Sequence, residues 1–234
     1  MKKVLSFSVR YNKKLSQENQ KLSTISNSVL SQGSWYKFEV GNSGVYKLSK
    51  SFLNNMGINT NNIDPRTIKI FGNGGGMLPL SNSLQFPYDP IENAIKFIGE
   101  EDGVFNNEDY IIFYANGQDT FSEESNTNLN SFTDKTFYLL NVSAGFGRRV
   151  VDLVEPATDE NVIIDEYQNY KFHEVDNYNI AKIGRRWFGE RFDFESIKNF
   201  EFEFDNIITS KPIDLKVYTA AVSEIPTSMS LKVN

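Results

Sequence analysis

The chain has 234 residues, of which 14% are aromatic and none is cysteine, and its formal net charge is −6. The two arginine pairs, Arg148 with Arg149 and Arg185 with Arg186, are isolated, so this acidic chain lacks the clustered basic face of nucleic-acid-binding proteins. The absence of cysteine excludes disulfides, thiolate metal sites and a cysteine nucleophile from these residues.

A length of 234 residues is enough for one complete domain and part of another. The many Phe, Tyr, Val, Ile and Thr residues favour strands over helices, so we predict a mainly β fold. Residues 1–33 are predicted to be an N-terminal strand, at residues 4–11, and a polar linker. The strand alternates apolar and polar residues, whereas a secretory signal would contain an unbroken apolar run. The chain therefore begins either a cytoplasmic protein or part-way into a longer one.

Residues 34–157 are predicted to form a β-rich domain with one short helix. Two alternating apolar runs flank residues 41–44, Gly-Asn-Ser-Gly, which predicts a β-hairpin. A helix follows, with Ser49 or Ser51 as its N-cap and Gly57 as its stop. A turn and a strand are predicted within residues 63–74, IDPRTIKIFGNG, and further strands at Ala94–Ile98, Tyr110–Tyr114 and Thr136–Val142.

The glycine-rich stretch at residues 70–80, IFGNGGGMLPL, invites comparison with a phosphate-binding loop. A dinucleotide-binding loop needs a third glycine where this chain has Met77, and a helix whose N-terminus receives the phosphate. Prolines follow instead, and no Lys comes after the glycines. The stretch is better interpreted as a turn between two strands, where glycine adopts positive φ at little cost.

An acidic segment at residues 98–109 has two interpretations. With Gly103 at position six of an EF-hand-type loop, Glu100, Asp102 and Asp109 fall at ligand positions. Position one is then Ile98, so an essential ligand is missing. The alternative is a surface turn between two strands. We keep calcium at Glu100, Asp102 and Asp109 as an expectation of the sequence, and we predict no other cofactor.

Residues 158–234 are predicted to be the first part of a β-sandwich. Phe200, Phe202 and Phe204 alternate with acidic residues, as a strand with one solvated face would. A sandwich needs about seven strands, and only about three fit here, so we expect it to be truncated. His173 is the only histidine of the chain, and no nucleophile elbow accompanies it.

Two features of this second part could carry a site. The paired carboxylates Glu201 and Glu203, like Asp193 and Glu195, have the spacing that a glycosidase could use, but also that of a solvated strand face. The stretch 184–192, GRRWFGERF, places guanidinium groups around aromatic rings and could stack on a ligand or partner. Its candidate residues are Arg185, Arg186, Trp187 and Arg191. The alternative is a patch buried at a domain seam with its charges paired.

Four stretches in a fixed order carry a resemblance to a known family. They are residues 33–58 (GSWYKFEVGNSGVYKLSKSFLNNMGI), 64–79 (DPRTIKIFGNGGGMLP), 93–117 (NAIKFIGEEDGVFNNEDYIIFYANG) and 184–194 (GRRWFGERFDF). Together they resemble the N-terminal region of the sortases of the type IX secretion system of Bacteroidetes, which are related to the gingipain cysteine peptidases. The similarity runs from about residue 30 to the end.

The resemblance implies a cell-surface parent protein that removes C-terminal sorting domains from exported cargo and attaches the cargo to lipopolysaccharide. That chemistry uses a Cys and a His in a later peptidase domain, so no catalytic residue is assigned to this chain. The segment would position the peptidase or dock it to the outer-membrane barrel partner PorV. Its first domain would be an interaction module and its second the opening of a jelly-roll-like sandwich.

Two alternative functions stay open at this point. The segment could be a carbohydrate- or lipopolysaccharide-binding module in which Trp35, Tyr36, Trp187 and Phe188 stack on sugars. It could also act as an intramolecular inhibitor or folding aid of the peptidase.

Overall fold

The computed structural model describes residues 27–84, 86–154, 165–180, 182 and 186–233. The predicted strand at residues 4–11 lies outside the described residues. The strands and the α-helix, in chain order, are β1 (Ser34–Val40), β2 (Gly44–Ser49), α1 (Lys50–Asn55), β3 (Ile68–Phe71), β4 (Glu92–Asn93), β5 (Lys96–Ile98), β6 (Tyr110–Ala115) and β7 (Thr136–Val142). Short 3-10 turns lie at Val29–Ser31, Thr60–Asn62 and Pro65–Thr67.

The strands form two antiparallel sheets. One has the order β1-β7-β3-β4 and the other the order β2-β6-β5. The prediction of a mainly β fold with one short helix is confirmed. No helix among the described residues is long and apolar enough to cross a bilayer.

The two sheets share one hydrophobic core. Phe38 of β1 meets the ring of Phe113 of β6 edge-on at 5.8 Å, and Phe113 lies 5.4 Å from Tyr138 of β7. The buried residues of β6, Ile111, Phe113 and Ala115, follow the two-residue period of a strand with one inward face. We call this two-sheet unit, residues 34–154, the sandwich unit. Two-sheet packing, which the sequence led us to expect after residue 158, thus occurs before that residue, in the span from β1 to β7.

The predicted hairpin at residues 41–44 is wrong. β1 pairs with β7 and β2 pairs with β6, so the chain crosses there from one sheet to the other. The crossing is fixed by a distant loop: the Ser43 backbone N–H and hydroxyl both donate to Asp119, at 2.6 and 2.7 Å. Gly117 N–H donates to the Ser43 hydroxyl at 2.9 Å. These contacts replace the ladder hydrogen bonds that a hairpin would make across the turn.

The predicted helix and both its ends are confirmed. Ser49 is the N-cap, because its hydroxyl accepts from Phe52 N–H at 3.2 Å. The chain leaves the helix at Gly57, whose φ of +93° lies in the left-handed region that glycine tolerates. Leu53 is the buried residue of the helix and joins the core.

The glycine-rich stretch is a loop between β3 and β4, and those strands pair with each other. The interpretation as a turn is therefore confirmed, but positive φ explains only Gly74, at +81°. A Cβ on Gly72 would lie 2.5 Å from the Tyr138 ring, and one on Gly75 would lie 1.6 Å from Thr136 Oγ1. These two glycines are needed because the loop backbone lies directly against β7.

The described part of the chain beyond residue 154 contains no regular strand. Its one isolated bridge joins Tyr178 and Phe188. Phe200, Phe202 and Phe204, expected in a strand, belong to none, because alternation defines two faces but supplies no hydrogen-bonding neighbour. The jelly-roll-like sandwich stays a prediction. We call the described residues of 165–233 the C-terminal part.

Candidate interaction surface

The arginine–tryptophan patch lies at the surface of the C-terminal part. Arg185 lies outside the described residues, and Arg186 is exposed. Trp187 is 38% exposed. Arg191 pairs with Asp193 at 3.2 Å, and its side chain is 67% exposed. A pair this open contributes little to stability. The described members of the patch are thus accessible to a partner, with one charge paired.

A short antiparallel contact holds the patch in place. Phe188 and Tyr178 exchange backbone hydrogen bonds of 2.9 and 2.8 Å. Gly189 lies so close to Val175 that a Cβ would be 2.7 Å from the Val175 carbonyl oxygen. Since adjacent side chains of an extended segment point to opposite sides, half-buried Phe188 anchors the segment while Trp187 projects toward solvent.

An open depression of about 410 Å³ lies on the same part of the chain. Its lining combines aromatic and charged side chains, namely Lys171, Phe172, His173, Phe200, Glu201, Phe202 and Glu203. The His173 ring lies 4.9 Å from Phe200, and its Nε2 lies 2.5 Å from a carboxylate oxygen of Glu190. Aromatic faces beside carboxylates can bind apolar or cationic groups by surface contact. Glu201 and Glu203 both line the depression, but Phe200 and Phe202 line it too and no strand is present there, so a shared strand face for the two carboxylates stays a prediction.

Sequence reasoning missed the contact between the C-terminal part and the sandwich unit. The Glu174 carboxylate accepts from Asn128 N–H at 2.7 Å and from Asn128 Nδ2 at 3.0 Å. It also accepts from the hydroxyl of Thr127, a buried residue. The Tyr170 hydroxyl donates to Asn128 Oδ1, and the Tyr218 hydroxyl donates to Asn126 Oδ1 at 3.1 Å. No sequence signal marks these pairs, because they join residues 42 to 92 positions apart.

Asp176 gives this contact a pH dependence. Burial raises the pKa of the Asp176 carboxyl, the nearby Glu174 raises it further, and a hydrogen bond from Ser131 opposes the shift. A carboxyl with a raised pKa binds its proton more tightly when docked, so the Asp176 contribution favours docking at acidic pH and is lost as pH rises through the raised pKa. We therefore expect Asp176→Asn to protect the amides near Asp176 a few fold better than wild type at neutral pH.

Amide exchange at several pH values measures this effect, after correction for intrinsic exchange rates. The advantage of Asp176→Asn should shrink at acidic pH, where wild-type Asp176 is itself protonated. The exposed Glu203→Gln is the matched control and should follow wild type throughout. An advantage of Asp176→Asn that is equal at every pH would contradict the assignment.

Each carboxylate predicted to bind calcium has protein partners. Glu100 accepts two hydrogen bonds from Arg149 Nε and one from Arg149 Nη2, at 2.7 to 3.0 Å. Asp102 accepts from Val104 N–H at 2.9 Å, and Asp109 accepts from Asn106 N–H at 2.6 Å. No group of three acidic, His or Cys side chains within the described ranges could hold a metal ion. Calcium binding there stays a prediction, and it would require Glu100 to exchange Arg149 for the ion.

The four aromatic residues proposed to stack on sugars fall into two separate pairs. Trp35 Nε1 donates to the Gln32 carbonyl at 2.8 Å, and the Trp35 ring meets Phe71 edge-on at 5.1 Å. Tyr36 packs against the core. No ring contact among the described residues joins this pair to Trp187 or Phe188. The first pair therefore has a packing role within the sandwich unit.

Comparison with known proteins identifies one informative relationship. No protein-family model and no curated protein matches the chain. Among solved structures, the chain is similar to the crystal structure of dimeric latent PorU from Porphyromonas gingivalis, with 26% sequence identity and a TM-score of 0.51. The match covers 70% of this chain and 14% of the PorU chain. The similarity supports a PorU-like relationship with a small part of a much longer protein.

Proposed function

We propose that this chain is a non-catalytic N-terminal segment of a type IX secretion sortase at the outer surface of the outer membrane. The observation that carries the proposal is the 26% identity and shared fold with PorU over 70% of the chain. The chain contains no cysteine. A cysteine peptidase needs a thiolate nucleophile, so the catalytic residues of such a sortase belong to another part of the polypeptide.

The proposed role of the segment is to position the peptidase and to dock it to a partner, for which the PorV-type barrel is the candidate. The sandwich unit, with its single packed core, provides a rigid base. The C-terminal part presents Trp187 and Arg191 to solvent. Tryptophan and arginine are the residue types that most often dominate binding energy at protein interfaces.

Binding of the 234-residue chain to the purified barrel partner tests the docking role. We expect Trp187→Ala to weaken binding about tenfold or more, because loss of an interface tryptophan commonly costs over 1 kcal/mol. Tyr114→Ala is the matched control, since Tyr114 is an exposed aromatic residue of β6 on the sandwich unit. Equal affinity of the wild type and Trp187→Ala would show that the Trp187 patch does not take part in binding the partner. No binding by the wild type would contradict docking to this partner.

An inhibitory role is the second candidate. The similar PorU structure is that of a latent protein. If the segment contributes to latency in its own parent, adding the 234-residue chain to the separated peptidase should lower cleavage of a sorting-domain peptide. Unchanged cleavage at saturating concentration of the chain would reject this role while leaving the docking role untouched.

A further inference from the structure

The C-terminal part is not attached to the sandwich unit through the hydrophobic core. The core cluster and the side chains packed against it end at Val142. Small, polar contacts between two parts of a chain leave their relative position free to change unless something fixes it. Placement of the C-terminal part therefore depends on the polar contacts at the loop that receives Glu174.

That loop, residues 122–131, is held by hydrogen bonds within itself and by hydrogen bonds to the glycine-rich stretch. Ser122 and Thr127 exchange backbone hydrogen bonds of 2.8 and 3.3 Å, which close the turn. Asn130 Nδ2 donates to the carbonyls of Gly75 and Gly76, at 2.8 and 3.2 Å. These bonds attach the loop to the glycine-rich stretch. The loop is thus a fixed part of the sandwich unit and presents its donors in a defined direction.

Glu174 makes the most concentrated contact with this loop. One carboxylate receives the Thr127 hydroxyl, the Asn128 backbone N–H and the Asn128 side-chain amide. Hydrogen bonds to an ionised acceptor are about twice as strong as those between neutral groups. Without Glu174, the Asn128 backbone N–H and side-chain amide would lose this acceptor, whereas the Thr127 hydroxyl would keep the Leu129 carbonyl at 2.9 Å. The loss of Glu174 would therefore fall mainly on the two Asn128 donors.

We infer that Glu174 is a latch that fixes the C-terminal part on the 122–131 loop of the sandwich unit. When the carboxylate is bound by Thr127 and Asn128, the Trp187 patch and the aromatic depression have a set position relative to the two sheets. When it is released, the C-terminal part changes position while the sheets stay folded. The inference holds whether or not the parent protein is a sortase.

Distance measurement between two spin labels tests the latch in the complete chain. The protein has no cysteine, so Val45→Cys and Val222→Cys, at positions 71% and 76% exposed, provide unique attachment sites. We expect a narrow distance distribution with Glu174 present and a broad one in Glu174→Ala. Exchange of the Asn128 amide should rise about ten- to hundredfold, which corresponds to loss of a hydrogen bond to a charged group.

Glu203→Ala is the matched control, because it removes an exposed carboxylate of the C-terminal part that makes no contact with the loop. An unchanged narrow distribution in Glu174→Ala would overturn the latch. Amide protection of β7 reports whether the sandwich unit stays folded. If Glu174→Ala unfolds the sandwich unit, Glu174→Gln decides, because this variant keeps the side-chain shape but removes the charge and one of the two acceptor oxygens. Broadening in Glu174→Gln supports the latch, and a distribution as narrow as wild type overturns it.

Discussion

Replacing Gly75 with alanine is expected to lower the free energy of unfolding of the sandwich unit by about 2–4 kcal/mol, the upper range for overpacking a close contact. The new Cβ would lie 1.6 Å from Thr136 Oγ1 and 2.9 Å from the Gly117 backbone. The Gly117 contact is with backbone atoms, and Thr136 is 3% exposed at the start of β7, so a clash at either neighbour is costly to relieve. Urea unfolding followed by circular dichroism measures the change.

Gly41→Ala is the matched control for that experiment. Gly41 also lies in a loop of the sandwich unit, but a Cβ there would meet nothing within 4 Å, and its φ is not positive. We expect its stability to stay within about 0.5 kcal/mol of wild type, the usual range for an exposed site without special contacts. Equal stabilities of the two variants would show that the loop does not press against β7 at Gly75.

Replacing Arg149 with alanine is expected to cost about 2–4 kcal/mol. Arg149 binds the Glu100 carboxylate at 2.7 Å, and their side chains are only 21% and 18% exposed. Its guanidinium also donates to the backbone carbonyls of Pro65, Arg66 and Ile68, at 3.1 to 3.2 Å. Breaking a buried pair from one side costs about 3–5 kcal/mol because the other charge stays uncompensated, and partial exposure reduces this cost.

Lys96→Ala is the control, because it removes an exposed ion pair from the same unit. Lys96 and Asp152 lie 3.1 Å apart with side chains 44% and 87% exposed. Such a pair contributes about 0–1 kcal/mol. Arg149→Lys should recover only part of the loss, since an ammonium cannot reproduce the planar fork that binds a carboxylate and several carbonyls together. A loss in Arg149→Ala no larger than in Lys96→Ala would show that the cluster adds no stability.

The helix ends, several strands and the glycine-rich turn were predictable, because neighbouring residues in the sequence determine them. Ser49 and Gly57 mark the ends of α1 because cap geometry depends on the residue at that position alone. The strands predicted at Tyr110–Tyr114 and Thr136–Val142, observed at Tyr110–Ala115 and Thr136–Val142, were expected from composition and alternation, because alternation of apolar and polar residues reflects burial of one face. The glycine-rich loop was identified as a turn because the residues after it fit neither a dinucleotide-binding loop nor one that ends in Gly-Lys-Ser or Gly-Lys-Thr.

Strand partners and the docking contact could not be predicted, because they depend on residues far apart in sequence. The residues around 41–44 have the sequence pattern of a hairpin. The chain changes sheets there because Ser43 binds Asp119, which is 76 positions away in the sequence. In the sequence Arg149 is one member of an isolated basic pair, and only the fold brings its partner Glu100 within 2.7 Å. Glu174 has the same local pattern as any exposed carboxylate, so its contact with Asn128 had no signal in the sequence.

The pairing of β1 with β7 determines when the four-stranded sheet of this protein can be completed. Ser34 is paired with Val142, and β7 is also the strand that holds β3. A chain synthesised from its N-terminus therefore carries β1 and β3 without their shared partner until residue 142 has emerged. Non-local pairing of this kind slows folding and leaves apolar strands open to aggregation. A chaperone that binds the nascent chain before residue 142 emerges would protect it through this interval.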